Sequence, residues 1–217
     1  MSPRRVVSLA LERGLDVIAV CDHNSAENAA AVARAAAGTR LAVVCGMEIT
    51  SREEVHVLGL YGDERALDEA QSWVYGHLVG ENDPIRFGEQ IVMDENDDVI
   101  GRNERLLIGA TDLGLEEIVR EIHRMGGLAV ASHVDRPRFS IVSQLGFVPP
   151  GLSLDAVEVW SRLPSGIPAG MTVIRSSDAH RPEEIGKRHS RFVMETAAFE
   201  EIGLALRGAE GRRVIVD

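Results

Sequence analysis

Residues 14–24 read GLDVIAVCDHN. The run 15–20 is mostly apolar and partly β-branched, which is typical of a short buried strand. Gly14 comes before it, where a glycine ends a helix well because it tolerates the left-handed backbone conformation. Asp22 and His23 follow at the point where the strand should end. The segment therefore predicts a helix, then a buried strand, then polar side chains that can bind a metal ion.

The same succession recurs along the chain. Further buried strands are predicted at 41–45, 55–61, 128–131, 156–160 and 172–175, and a closing strand at 214–216. Helices are predicted between them at 24–37, 64–74 and 115–125. Alternation of this kind indicates an α/β fold with a parallel sheet.

The domain prediction follows from length and composition. The chain has 217 residues, of which 45% are hydrophobic, enough for one buried core. We expect a single domain over 1–217, with an irregular, hairpin-containing excursion around 82–111. Two cysteines, Cys21 and Cys45, lie in apolar runs without metal-binding spacing, so we expect buried free thiols.

Charge and hydropathy suggest the partners. The formal net charge is −11, whereas a general nucleic-acid binder needs a basic face, so we expect no general nucleic-acid binding. No apolar run approaches the ~18 residues of a membrane span, and the start does not resemble a signal peptide. We therefore expect no membrane association and a cytoplasmic location. The sequence leaves the oligomeric state open.

Metal-binding residue types follow several predicted strand ends. In a barrel of parallel strands these ends open on one face, so their side chains should converge. Imidazole and carboxylate together favour Zn, Mn or Fe over Mg or Ca, and a carboxylate can bridge two metals. His56 fits less well because it lies near the start of its strand. The candidates at strand ends are Asp22, His23, Glu48, His133, Asp178 and His180.

Five short motifs together resemble the PHP superfamily (polymerase and histidinol phosphatase). They are residues 14–24, GMEIT at 46–50, EVHVLG at 54–59, SH at 132–133 and SDAH at 177–180. The resemblance covers nearly the whole chain. It implies a distorted (β/α)7 TIM-like barrel around up to three divalent metals, and hydrolysis of phosphate esters.

The resemblance also implies a role for each candidate. Glu48 would bridge two metals, and His56 and His133 would complete one of these sites. Asp178 would bind another metal, and His23 and His180 the third. Asp22 would be a catalytic residue that supports the metals or handles protons.

One departure concerns the first strand. The family opens with a strand ending in His-x-His, which supplies two ligands to the metal shared with Asp178, and this sequence contains no His-x-His. We therefore expect the barrel to lack its first strand, through truncation or as a shortened variant. We also expect fewer bound metals than in the complete site.

These observations predict a metal-dependent phosphoesterase that hydrolyses a small phosphate mono- or diester. Arg136 and Arg181 are the candidates to bind the phosphate, since arginine matches phosphate geometry. The alternatives are an amidohydrolase-type metallohydrolase and a non-catalytic regulatory PHP-like domain, the latter favoured by the missing His-x-His. A proofreading nuclease module is disfavoured by the net charge.

Overall fold

The computed structural model describes residues 1–215. Its elements confirm the predicted mixture of helices and short strands. The first half contains α1 (Pro3–Glu12), β1 (Val17–His23), α2 (Ala29–Ala35), β2 (Ala42–Thr50), β3 (His56–Tyr61), α3 (Glu64–His77), α4 (Pro84–Phe87), β4 (Ile91–Met93) and β5 (Val99–Arg102). The second half contains α5 (Leu115–Arg124), β6 (Leu128–Ala131), α6 (Ile141–Leu145), β7 (Ala156–Glu158), β8 (Val173–Ile174), a 3₁₀ turn (Pro182–Glu184), β9 (Arg191–Val193), α7 (Phe199–Arg207) and β10 (Arg213–Ile215). The last residue of the strand predicted at 214–216 lies outside the described range.

Six strands form one sheet in the order β1-β2-β3-β6-β7-β8. The sheet curls into half of a barrel, which is consistent with a distorted TIM-like fold. The two outer strands of the sheet are β1 and β8, and no closed barrel forms among residues 1–215.

The expectation of a wholly parallel sheet is wrong at β3. This strand runs antiparallel to both β2 and β6, whereas the pairs β1–β2, β6–β7 and β7–β8 are parallel. The connection from β2 to β3 is short, and a parallel crossover needs about a dozen residues or more. The chain instead turns back directly, with the Ser51 N–H donating to the Val55 carbonyl at 2.9 Å and Glu54 at φ 59°.

Apolar side chains cover both faces of the sheet. Ile118 and Ile122 of α5 are fully buried in a cluster with Val57 and Tyr61 of β3. Another cluster places Ile202 and Leu206 of α7 with Val44, Leu60 and Val130. These two layers fix the sheet, so the ends of its strands are held rigidly.

The segment 82–111 contains α4 and the antiparallel pair β4–β5. The acidic turn between these strands lies against the start of α1, where the Ser2 hydroxyl donates to Asp97 Oδ2 at 2.8 Å. Arg34 of α2 pairs with Glu95 at 2.9 Å. This segment is therefore anchored to the first two helices. Among residues 1–215, no helix is both long and apolar enough to cross a bilayer.

Candidate metal centre

Strand pairing brings the candidate ligands to one edge of the sheet. His23 is the register partner of Glu48 between β1 and β2, and His56 is the partner of Thr50 between β2 and β3. Since β3 runs in the opposite direction, its first residue lies at the edge where β1 and β2 end. The reversed strand thus explains why His56 belongs with the other candidates although it begins its strand.

Glu48 lies at the centre of this arrangement and is 4% exposed. Its Oε2 is 3.1 Å from Nδ1 of His23, and its Oε1 is 3.3 Å from Nδ1 of His56. Nε2 of His133 lies 3.5 Å from the same Oε1 and 3.2 Å from Nδ1 of His56. Donor atoms of His23, Glu48 and His56 all fall within 4.8 Å of one another. One divalent cation can contact all three.

The protonation states of Glu48 and His23 suit a cation. Burial alone would raise the pKa of Glu48, but His133 and His56 hold it well below its usual range, so the carboxylate is ionised. Burial lowers the pKa of His23, which favours the neutral imidazole that binds metals. Burial also acts to lower the pKa of His133, but its hydrogen bond with Glu48 outweighs this and raises it. Nδ1 of His133 has no hydrogen-bond partner among residues 1–215, and Nδ1 of His23, although 3.1 Å from Glu48 Oε2, makes no contact with hydrogen-bond geometry there. An ionised carboxylate beside orphaned imidazole nitrogens fits a divalent metal.

Neighbouring groups hold the cluster in place. The Ser132 hydroxyl donates to Glu48 Oε1 at 2.6 Å. The Phe139 ring stacks on His56 at 4.8 Å with an interplanar angle of 9°, and its carbonyl accepts the His56 N–H at 2.9 Å. His133 and Phe139 have φ values of 30° and 58°, which non-glycine residues adopt rarely and which are enriched at functional sites.

Asp178 and His180 lie beside this cluster. The His180 ring is 6.0 Å from that of His23, and its Nδ1 is 3.7 Å from Oδ1 of Asp178. Asp178, at φ 44°, pairs through Oδ2 with Nη1 of Arg136 at 2.6 Å. A metal bound by Asp178 would therefore compete with the guanidinium of Arg136.

The other two candidates lie near the edge of the site. Asp22 is exposed as a residue, yet burial of its carboxyl group raises its pKa, and its Oδ2 is 3.5 Å from Nδ2 of Asn28. Arg181 is also exposed, and its backbone N–H donates to Glu184 at 3.0 Å. Their roles in proton handling and phosphate binding stay predictions.

Sequence reasoning missed Glu158, the last residue of β7. It is 2% exposed, and its Oε1 has no hydrogen-bond partner among residues 1–215. Burial raises its pKa to about 7. The signal was available, because a carboxylate inside the apolar run 156–160 requires a partner or a proton.

One cleft adjoins the cluster, and another lies beside Asp178 and His180. One of about 250 Å³ is lined by Asp22 and His23 together with residues of the 82–111 segment, including Gln90 and Asn103. The other, of about 300 Å³, is lined by Arg136, Trp160, Ser177, Asp178, His180, Glu184, Lys187 and Arg188.

Comparison with known proteins supports the fold. No family profile matches the chain. The uncharacterized protein YqxK of Bacillus subtilis is 28% identical in an alignment 118 positions long that covers 49% of this chain and 30% of YqxK. The crystal structure of the lesion-specific endonuclease EndoQ from Pyrococcus furiosus superimposes with a TM-score of 0.72 at 18% identity, covering 99% of this chain and 53% of that protein.

Two further structures share the fold. Endonuclease Q in complex with a 27-mer duplex substrate, with an abasic lesion at the active site, gives a TM-score of 0.68 at 18% identity, over 98% of this chain and 53% of that chain. A Bifidobacterium adolescentis protein, provisionally described as a metal-dependent phosphoesterase, gives 0.56 at 18% identity, over 92% of this chain and 86% of that chain. This chain thus spans less than a third of YqxK and about half of Endonuclease Q.

The likeness to Endonuclease Q contradicts the expected partners. We expected a small phosphorylated substrate and no general nucleic-acid binding, whereas the similar fold in Endonuclease Q binds a 27-mer duplex. The expectation rested on the net charge of −11, which averages over the whole surface. Binding depends on the local field, and one cleft beside the candidate centre is lined by Arg136, Lys187 and Arg188.

Proposed function

We propose that this chain carries the metal centre of a phosphodiesterase that acts on nucleic acid. The observation that supports this proposal best is the position of Glu48, whose buried carboxylate contacts the imidazoles of His23, His56 and His133. The likeness to Endonuclease Q over 99% of the chain favours a nucleic acid as the substrate.

Glu48, His23, His56 and His133 would hold one or two divalent metals, with Zn, Mn or Fe matching the donor set. When bound, such a metal activates water and stabilises the charge that develops on phosphorus oxygens. Glu48 supplies negative charge at the centre, and Ser132 fixes the orientation of its carboxylate. Phe139 restricts rotation of His56 through stacking.

Asp178 and His180 are the proposed ligands of a further metal. In the structure Arg136 neutralises Asp178, so metal binding there would free the guanidinium to contact a phosphate oxygen. Arg181, next to His180, is a second candidate for this contact. Asp22, exposed beside His23, is the proposed acceptor of a proton from the attacking water.

The test begins with elemental analysis of protein purified without chelators. We expect one or more Zn, Mn or Fe ions per chain. A labelled duplex, with and without an abasic site, is then incubated with the protein and each divalent metal, and strand cleavage is followed on a denaturing gel. Metal-dependent cleavage that Glu48→Gln abolishes is the expected result. A folded protein that binds no metal would contradict the proposal.

A further inference from the structure

The 300 Å³ cleft beside Asp178 has a feature that the metal centre does not require. Two guanidinium groups lie over the ring of one exposed indole, that of Trp160. We propose that this cleft is a second phosphate subsite, in which Arg188 and Lys187 bind the backbone phosphate next to the one that is cleaved. The inference rests on the proposed function and adds to it the class of substrate, a strand with consecutive phosphates.

The Trp160 ring contacts two cations. Cζ of Arg136 is 4.4 Å from the centre of the Trp160 ring, and Cζ of Arg188 is 4.1 Å from it. The distance between the two guanidinium carbons is therefore at most about 8.5 Å. The electron-rich ring face attracts each cation, which offsets part of their mutual repulsion. A bound anion would offset the remaining repulsion between the two cations.

Trp160 lies in a loop that hydrogen bonds to Asp135 hold in place. The carboxylate of Asp135 accepts the backbone N–H groups of Trp160, Ser161 and Arg162 at 2.8, 2.6 and 3.1 Å, and the Ser161 hydroxyl at 2.9 Å. These bonds hold the pKa of Asp135 below its usual range against the opposing effect of its partial burial. The carboxylate therefore stays ionised and keeps the loop fixed at neutral pH. Trp160 is a positioning residue in this arrangement, since it sets where the guanidinium groups lie.

The acidic groups in the cleft are already engaged. Asp178 pairs with Arg136, and Glu184 accepts the backbone N–H groups of His180 and Arg181 at 2.9 and 3.0 Å. Among residues 1–215, no carboxylate lies within ion-pair distance of Arg188 or Lys187. The backbone N–H of His180 and, to a smaller extent, the charge of Lys187 lower the pKa of Glu184, so Lys187 has a carboxylate in its vicinity. Arg188 is the cation of the cleft that forms no ion pair within the described residues.

Phosphate matches these groups best. The guanidinium fork binds two phosphate oxygens at once, and lysine adds a point charge. Asp178 and His180 line the same cleft, so a phosphate held by Arg188 would lie close to one held at the metal centre. Successive phosphates of a nucleic-acid strand provide such a pair, whereas a free phosphate ion provides only one.

The test measures binding of a labelled phosphorothioate oligonucleotide, which resists cleavage, to the purified chain by fluorescence anisotropy across a range of salt concentrations. We expect Arg188→Ala to weaken binding about tenfold and to reduce the slope of log K against log salt by about one. Trp160→Leu should weaken binding similarly, and Trp160→Phe should restore most of it. Arg65→Ala, an exposed arginine on α3, is the matched control and should change neither affinity nor slope.

Unchanged affinity and slope in Arg188→Ala would overturn the subsite. Displacement of the oligonucleotide by inorganic phosphate at the same molar concentration would also overturn it, because the cleft would then be a site for the free ion. Cleavage assays on the same samples separate the two proposals. Binding that depends on Arg188 in a protein that cleaves no strand would support the subsite and contradict the catalytic function.

Discussion

His23 and Glu48 are register partners in the parallel strands β1 and β2, and Nδ1 of the imidazole lies 3.1 Å from Oε2 of the carboxylate. The backbone ladder between the two strands therefore sets the distance between these two side chains. Sites built on strands hold their geometry better than sites built on loops.

Replacing the central carboxylate should remove metal binding while preserving the fold. Glu48→Gln keeps the size of the side chain but loses the charge that attracts the cation and the imidazoles. We expect metal affinity to fall by at least about tenfold, measured by competition with a chromogenic chelator. Glu116→Gln, an exposed glutamate on α5, is the control and should bind metal as the unchanged protein does. Full metal occupancy in Glu48→Gln would show that the ions bind elsewhere.

The hydroxyl of Ser132 should matter although it is not itself a proposed ligand. It donates to Glu48 Oε1 at 2.6 Å, so Ser132→Ala leaves the carboxylate free to rotate. Loss of such an orienting partner costs roughly 10–100-fold in metal affinity. We expect isothermal titration calorimetry to show this loss of metal affinity. The midpoint of thermal unfolding of the metal-free protein should change little. Ser8→Ala, on the exposed face of α1, serves as the control. An equal affinity in Ser132→Ala would assign Ser132 to packing alone.

Metal uptake should release protons near neutral pH. The hydrogen bond with Glu48 raises the pKa of His133 in the metal-free protein, so part of the His133 population carries a proton that the metal must displace. Proton release should fall towards zero as the pH rises above that raised pKa, and metal affinity should fall as the pH drops below it. Calorimetry in buffers of different ionisation enthalpy measures the number released. Proton release that does not vary between pH 6 and 9 would contradict this assignment.

Two glycine-to-alanine changes should have opposite effects on stability. A Cβ on Gly46 would lie 2.5 Å from the carbonyl oxygen of Gly59, so Gly46→Ala must push β2 and β3 apart and displace Glu48 two residues later. Gly76, inside α3, has no atom within 4 Å of such a Cβ, so Gly76→Ala should stabilise the protein by about 0.5–1 kcal/mol. Urea denaturation measures both changes. Metal binding should weaken in Gly46→Ala and not in Gly76→Ala. An unchanged free energy of unfolding in Gly46→Ala would show that the strands separate without strain.

Periodicity and capping predicted much of the fold. The stripe of Leu115, Ile118, Val119 and Ile122 forms the buried face of α5, as expected from its spacing. The direction of β3 was not predicted, because the apolar run 55–61 looks the same in a parallel and an antiparallel strand. The short connection between β2 and β3 is what indicates an antiparallel strand. The direction of this strand places His56 at the same end of the sheet as Glu48.

Prediction of the site was limited by contacts between distant residues. Polar side chains after apolar runs indicated His23, Glu48 and His133, since each follows a run that predicts a strand. The pairing of Arg136 with Asp178 could not be read from the sequence, because it joins residues from separate loops. The charge balance pointed away from nucleic acid because it counts acidic residues on every surface, including the turn after β4 that faces α1 and α2.

The reversal at β3 also bears on how the protein folds. Glu48 and His56 lie on the two strands of one hairpin, β2 and β3. Their approach requires only closure of a short loop, which is fast and costs little conformational entropy. His133 must be brought in over a much longer separation along the sequence. We expect the first half of the ligand set to assemble early on the hairpin, with arrival of β6 as the slow step that completes it.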